Sequence, residues 1–157
     1  MGICNYSLGY SLRGIFGLFG VGYASTTFDH GFPSSLNFET TSTANAADLS
    51  LSILDAMMTA GVGTVIGGEV TGKRTGTLYD TEMSGDTASG STSFLNIGFC
   101  LGPAELIAGY RIWDVKYKNA KFTSTGKGAY SGFSFSGEIS EMKTKYNEMT
   151  IGVGIGF

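Results

Sequence analysis

Charge is scarce in this chain. Only 15% of its 157 residues are Asp, Glu, Lys or Arg, against about a quarter in an ordinary soluble domain. The formal net charge is −3, and the ten Lys and Arg residues are scattered along the sequence. That excludes the basic footprint that nucleic-acid binding requires. Proline occurs twice against 25 glycines, which excludes collagen and proline-rich linkers. No apolar run approaches 18 residues, so no transmembrane helix is expected. The best run, "IFGLFGVGY" (residues 15–23), has signal-peptide character but is broken three times by glycine and reads better as a strand. "MGICNY" has Tyr6 where myristoylation asks for Ser or Thr.

The chemistry-bearing residues are equally thin. The single histidine, His30 in "FDHGFP", lies in a turn pattern without a neighbouring base or nucleophile and reads as solvated. Cys4 and Cys100 are too far apart in sequence for a metal motif and read either as a pair formed in an oxidising compartment or as small core residues. One histidine and two distant cysteines supply no zinc set. Asp80, Glu82 and Asp86 lack the ligand order of a calcium loop. The glycine runs "GVGTVIGGEVTG" and "GVGIGF" do not open helices, so they lack the mechanism of a phosphate loop. No catalytic residue, cofactor or metal is expected, and the chain is read as non-enzymatic.

What the sequence does have is a period of two. In "TIGVGIGF", Ile151, Val153, Ile155 and Phe157 share one face, and Thr150 with three glycines shares the other. Leu95, Ile97, Phe99 and Leu101 alternate up to Gly102-Pro103, and Ala104, Leu106, Ala108, Tyr110 and Ile112 resume in the same phase. A two-residue hairpin keeps both apolar sets on one face. Leu49, Leu51 and Ile53 alternate with serines, and Val62, Thr64, Ile66 and Val70 oppose Gly61, Gly63, Val65, Gly67 and Glu69 in one run over 59–72. Tyr6, Leu8, Tyr10 and Leu12 alternate up to Arg13-Gly14, and Ile15 to Tyr23 follows. Residues 129–139 and 145–157 read as two strands with a break at 140–144. The stretch 73–91, "KRTGTLYDTEMSGDTASGS", reads as a long polar loop, and 40–48 as either a loop or the solvated end of a strand. Residues 1–157 thus form a single all-β domain.

The second face decides between two designs. A soluble barrel turns its apolar face inward and its charged face to water. Here the second face is Gly, Ser, Asn and Tyr with a few charges, which suits the narrow interior of a small membrane barrel whose apolar face meets lipid. Eight strands of about 9–11 residues plus connections need roughly this length. The closing strand with its terminal aromatic, and "AGYRIWDVKYKN", which passes from an apolar strand into a charged segment, resemble small bacterial outer-membrane β-barrel proteins. The resemblance is best over the C-terminal 65 or so residues. It implies an antiparallel up-and-down transmembrane β-barrel, eight strands on this count, with the lipid bilayer as partner and the cell surface as location. It also implies an assembly signal formed by Ile151, Val153, Ile155 and Phe157. One consequence conflicts with that family: turns at 102–103 and 140–144 would leave Phe157 on the side of the long loops.

Five charges fall on the Gly/Ser face: Arg111, Glu69, Glu105, Glu138 and Glu148. A buried charge needs a partner, so Arg111 is expected to pair with at least one of these carboxylates and to plug or gate the interior. A turn at 140–144 would bring Glu138 close to Glu148. Tyr10, Tyr23, Tyr110, Trp113, Tyr117, Tyr146 and Phe157 suit interfacial girdles. The functional expectation is a structural or surface-interaction barrel, or a narrow pore if the interior is open. The alternatives are a soluble lipocalin-like carrier of an apolar ligand and a self-associating surface protein.

Overall fold

A computed structural model describes residues 3–31, 38–53, 57–101 and 104–155. The strands are β1 (Ile3–Phe16), β2 (Phe19–Gly31), β3 (Phe38–Ile53), β4 (Met58–Gly67), β5 (Val70–Thr75), β6 (Tyr79–Gly85), β7 (Thr87–Leu101), β8 (Ala104–Gly126) and β9 (Ser134–Ile155). A single 3-10 turn, Gly128–Tyr130, precedes β9. The fold is all-β, a nine-stranded sheet whose named strands pair antiparallel throughout.

Nine strands make seven rows. β4 and β5 both pair with β3, and β6 and β7 both pair with β8. Each couple is therefore one long strand interrupted once. The interruptions face each other, joined by a bridge between Gly68 and Thr87. Gly68 and nearby Gly90 have φ of +151° and +147°, a region closed to residues with a Cβ. A Cβ there would also run into the carbonyls of Thr43 and Asp114 respectively. The register slips by one residue where Val65–Gly67 lie opposite Asn45–Ala46, and this β-bulge re-phases the row so that inner residues stay inside across the break. Val65 before the break and Val70 after it are both buried.

Several sequence expectations change here. The segment 73–91 is not a loop: it is the tip of the β5–β6 hairpin and the start of β7. Its outer residues are charged, so hydropathy alone hides the strand, while Val70 and Met83 on the inner face are buried. Residues 40–48 belong to β3, with Ala44 and Ala46 fully buried. The strand expected over 59–72 divides at Gly68-Glu69. The run 15–23, read as one strand, turns at Gly17-Leu18, and Arg13 stays inside β1. Residues 140–144 do not turn; β9 runs unbroken through them. "SEMKTK" holds no Gly, Pro, Asn or Asp, and its charges pair across to β8, as Glu141 does opposite Lys118. Leu101 does pair with Ala104, which fits the expected two-residue connection, although 102–103 lie outside the described residues.

Continuity of β9 changes the geometry of the C-terminus. Ile155 ends at the same end of the sheet as the tight Gly17-Leu18 turn and the β7–β8 connection, because successive rows alternate in direction. The conflict over the final strand therefore came from the turn wrongly expected at 140–144. Phe157 itself lies outside the described residues.

The sheet curls. β2 and β9 are separated by four rows along the ladder, yet the rings of Phe28 and Tyr146 stack at 3.7 Å. Ser42 and Tyr146 hydroxyls meet at 2.8 Å. β1 and β9 are the two ends of the sheet order, and no ladder joins them among the described residues.

Candidate functional site

Alternation along β8 puts Gly109, Arg111, Trp113, Val115 and Tyr117 on the inner face and Tyr110, Ile112, Asp114 and Lys116 on the outer one. Arg111 is 4% exposed. Its Nη1 and Nη2 donate to Asp48 Oδ1 and Oδ2 at 3.1 and 2.7 Å. This bidentate geometry is the strongest form of an Arg–carboxylate pair. Nη1 also reaches Thr92 Oγ1 at 3.4 Å. Asp48 comes from β3, 63 residues away in sequence, and its side chain is almost fully buried.

A second guanidinium completes the arrangement. Arg13 Nη2 lies 3.8 Å from Asp48 Oδ2. With the Asn96 amide turned so that its oxygen faces the cation, that oxygen accepts from Arg13 Nη1 at 2.8 Å. The Phe94 ring lies between the two cations, with its centroid 4.0 Å from Arg13 Cζ and 4.6 Å from Arg111 Cζ. That ring face offsets part of the repulsion between two neighbouring arginines.

Glu148, opposite Arg111 on the β8–β9 ladder, turns to other donors. Its Oε2 accepts from Trp113 Nε1 at 2.9 Å and its Oε1 from Thr26 Oγ1 at 3.1 Å. It also spans the sheet edges: a Cβ on Gly9 of β1 would sit 2.7 Å from Oε1. Two arginines and two carboxylates balance in charge, which a poorly solvated interior demands. Glycines clear the space. A Cβ on Gly63 would strike the Asp48 carboxylate, and one on Gly61 the Phe94 ring.

Of the five charges singled out from sequence, the structure gathers two. Arg111 and Glu148 are buried on the inner face. Glu105 is half-buried on the same face nearer the short-turn end, where a Cβ on Gly154 would meet its Oε2 at 3.1 Å. Glu69 is exposed at the β4–β5 bulge, held by backbone bonds to Thr43. Glu138 is exposed opposite Lys121. The expected approach of Glu138 to Glu148 fails because the chain does not turn at 140–144. The expected Arg111–Glu pair is corrected as well: the carboxylate is Asp48. Asp48 was legible only as the residue in phase with Ser50 and Ser52, at the end of a stretch too polar to look like a strand.

Three expected girdle aromatics are corrected too. Trp113, Tyr117 and Tyr146 are buried on the inner face, where Tyr117 donates to Thr43 O at 3.1 Å. Tyr10, Tyr23 and Tyr110 are exposed. Ile151, Val153 and Ile155 point outward at 86%, 75% and 70% exposure. Among the described residues no three His, Cys, Asp or Glu side chains stand close enough to hold a metal. No family model, curated protein or solved structure matches this chain.

Proposed function

We propose that this chain is an integral β-barrel of a bacterial outer membrane, non-enzymatic, with its interior filled by the Arg13–Asp48–Arg111–Glu148 cluster. One observation carries the reading: the sheet is inside-out at one end and right-side-out at the other. Toward the short turns, the outer wall is Leu8, Leu12, Phe19, Val21, Leu49, Leu51, Val62, Leu95, Ile97, Leu106, Met149, Ile151 and Val153, all exposed. The inner face there carries Ser50, Ser52, Thr59 and the charged cluster. The apolar stripe from Met149 to Ile155 covers six residue steps, about 20 Å of strand. On a tilted strand that is about 15 Å of height, and the eight steps from exposed Leu8 to exposed Phe16 on β1 give about 20 Å, approaching the apolar band of about 25 Å found on membrane barrels.

Closure of the β1–β9 seam is part of this proposal; with seven rows in place of the expected eight, it would pair two parallel edge strands, a departure from the even-numbered antiparallel barrels of bacterial outer membranes. Backbone groups left open in hydrocarbon cost several kcal/mol each, so the two edge strands need partners. The reach of Glu148 to β1, β2 and β8 supports a closed interior. Dense packing of the cluster favours a structural or surface-interaction role over a pore. A soluble carrier of an apolar ligand would need the bulky side chains turned inward, and a contiguous exposed apolar wall of this size is foreign to soluble monomers. The test is direct. The chain should need detergent for extraction and show heat-modifiable gel mobility; full solubility in plain buffer as a folded monomer sinks the reading.

A further inference from the structure

The ten basic residues look scattered in sequence, but half of them gather on one patch of wall. Lys116, Lys118 and Lys121 on β8 and Lys143 and Lys145 on β9 lie on the outer face. They continue the same outward rows that carry Tyr110, Ile112 and Met149 nearer the short-turn end. The register pairs Lys116 directly with Lys143, and like charges facing across a ladder destabilise it. Two neutralising contacts exist: Lys145 Nζ–Asp114 Oδ2 at 3.5 Å and Lys143 Nζ–Glu141 Oε1 at 3.0 Å. Among the described residues, Lys116, Lys118 and Lys121 form no ion pair. The Glu141 carboxyl is held below its usual range chiefly by its bond to Lys143, with the charges of Lys143, Lys116 and Lys118 adding to this and desolvation opposing it. Glu138 faces Lys121 across the ladder, so the five lysines stand against Asp114, Glu138 and Glu141 and leave the patch net positive.

Its height is specific. Lys145 is opposite Asp114, and Lys143 opposite Lys116, two and four residues beyond Ile112. On a tilted strand this puts them about 5 and 10 Å above the last apolar outward residue of β8. A bilayer's polar zone extends about 5–8 Å beyond its hydrocarbon on each side, and the stems of Lys116, Lys143 and Lys145 can bend back along apolar wall to reach it, whereas Lys118 and Lys121 stand about 15 and 20 Å up.

We propose that the outer wall of β8–β9 at Lys116, Lys143 and Lys145 docks the phosphate groups of anionic membrane lipids, with Lys118 and Lys121 adding to the attracting field from above. The inference rests on the membrane reading above. It adds a lipid preference and an asymmetry, because the opposite rim has no such cluster among the described residues.

The full chain is reconstituted at low salt into phosphatidylcholine vesicles containing phosphatidylglycerol. The lipids that remain bound after extraction are counted by mass spectrometry. Protease protection of the belt strands is measured on the same sample. Wild type should retain phosphatidylglycerol over phosphatidylcholine by at least about tenfold, given roughly fivefold per lysine near a charged surface. K116Q/K118Q/K143Q should bring the ratio near one while belt protection stays intact. K73Q, whose lysine on β5 pairs with Glu82 and lies near Lys121 but three rows from Lys143 and Lys145, should retain the preference. Insertion without lipid preference, or equal loss in K73Q, overturns this inference alone. A chain that never becomes protected overturns both this inference and the membrane reading.

Discussion

Two ends of one sheet obey opposite rules in this molecule. Toward the short turns, the outer wall is Leu, Ile, Val and Phe, and the inner face is serine, threonine, glycine and paired charge. Toward the other end, Lys, Glu, Asp and Thr cover the outside of β5, β6, β8 and β9, and the inside packs Phe28, Val70, Met83, Trp113, Val115, Tyr117 and Tyr146. The crossover falls near Arg111 and Trp113, adjacent inner residues on β8. The same strands cross it without a break, so backbone pairing does not distinguish the two ends. What differs is the solvent each wall is suited to. The polar-walled end is an ordinary protein core, stabilised by burying apolar side chains. The apolar-walled end leaves its apolar side chains outside and must hold its interior together by hydrogen bonds and ion pairs.

That contrast can be broken from either side. The largest effects should come from the two interiors. Asp48→Ala leaves two buried guanidiniums without their carboxylate and should cost about 3–5 kcal/mol in denaturant unfolding of the detergent-solubilised protein. Phe28→Ala, in the aromatic stack at the other end, should cost a similar amount, about 3–5 kcal/mol, but for loss of packing. Replacing both Asp48 and Arg111 by apolar residues should therefore recover part of the first loss, and no substitution of a charged partner should recover the second. If Asp48→Ala costs under about 1 kcal/mol, the cluster is not the buried network described.

The outer walls come next. Ile151→Lys should cost about 2–4 kcal/mol when folding is measured in lipid vesicles. Lys143→Ile, on the same face of β9 above the crossover, should change stability by no more than about 0.5 kcal/mol. Equal effects at the two positions would erase the distinction between the walls. Gly90→Ala tests the close approach of β7 to the Asp114 carbonyl beside the interruption. With its φ of +147°, the substitution should cost about 1–3 kcal/mol, read as a lowered unfolding midpoint.

The smallest effect is electrostatic. Asp80 on β6 accepts from Lys127 at 2.7 Å, and this bond is the main cause holding its carboxyl below the ordinary value. A depressed folded-state pKa contributes stability that is fully present above the unfolded value and lost as pH falls through the folded one. Unfolding followed from neutral to acid pH should show that loss below about pH 4, and Asp80→Asn should remove this component of the slope.

How much of this was legible beforehand depends on the wall. Where the outer residues are apolar, as at Leu95–Leu101 and Met149–Ile155, alternation against glycine identified the strand and its faces. Where the outer residues are charged, as in 73–91 and 140–144, the same strands looked like loop and turn. Composition signals a strand only when one face avoids water, and these segments carry lysine or glutamate outside and few bulky side chains inside. The inner cluster was half legible: Arg111 and Glu148 stood out as charges on a bare face, whereas Arg13 sat beside a glycine that mimicked a turn, and Asp48 closed a polar stretch.

The 157 residues by themselves determined strand over helix, and which side chains share a face within each apolar row, because a period of two is a local property of extended backbone. Only the tertiary structure decided that Arg111 meets Asp48, that Trp113 and Tyr146 lie inside, and that five dispersed lysines form one patch. Those outcomes depend on register and curl, which bring together residues as far apart as Thr26 and Glu148, and no local pattern encodes the sum of seven rows.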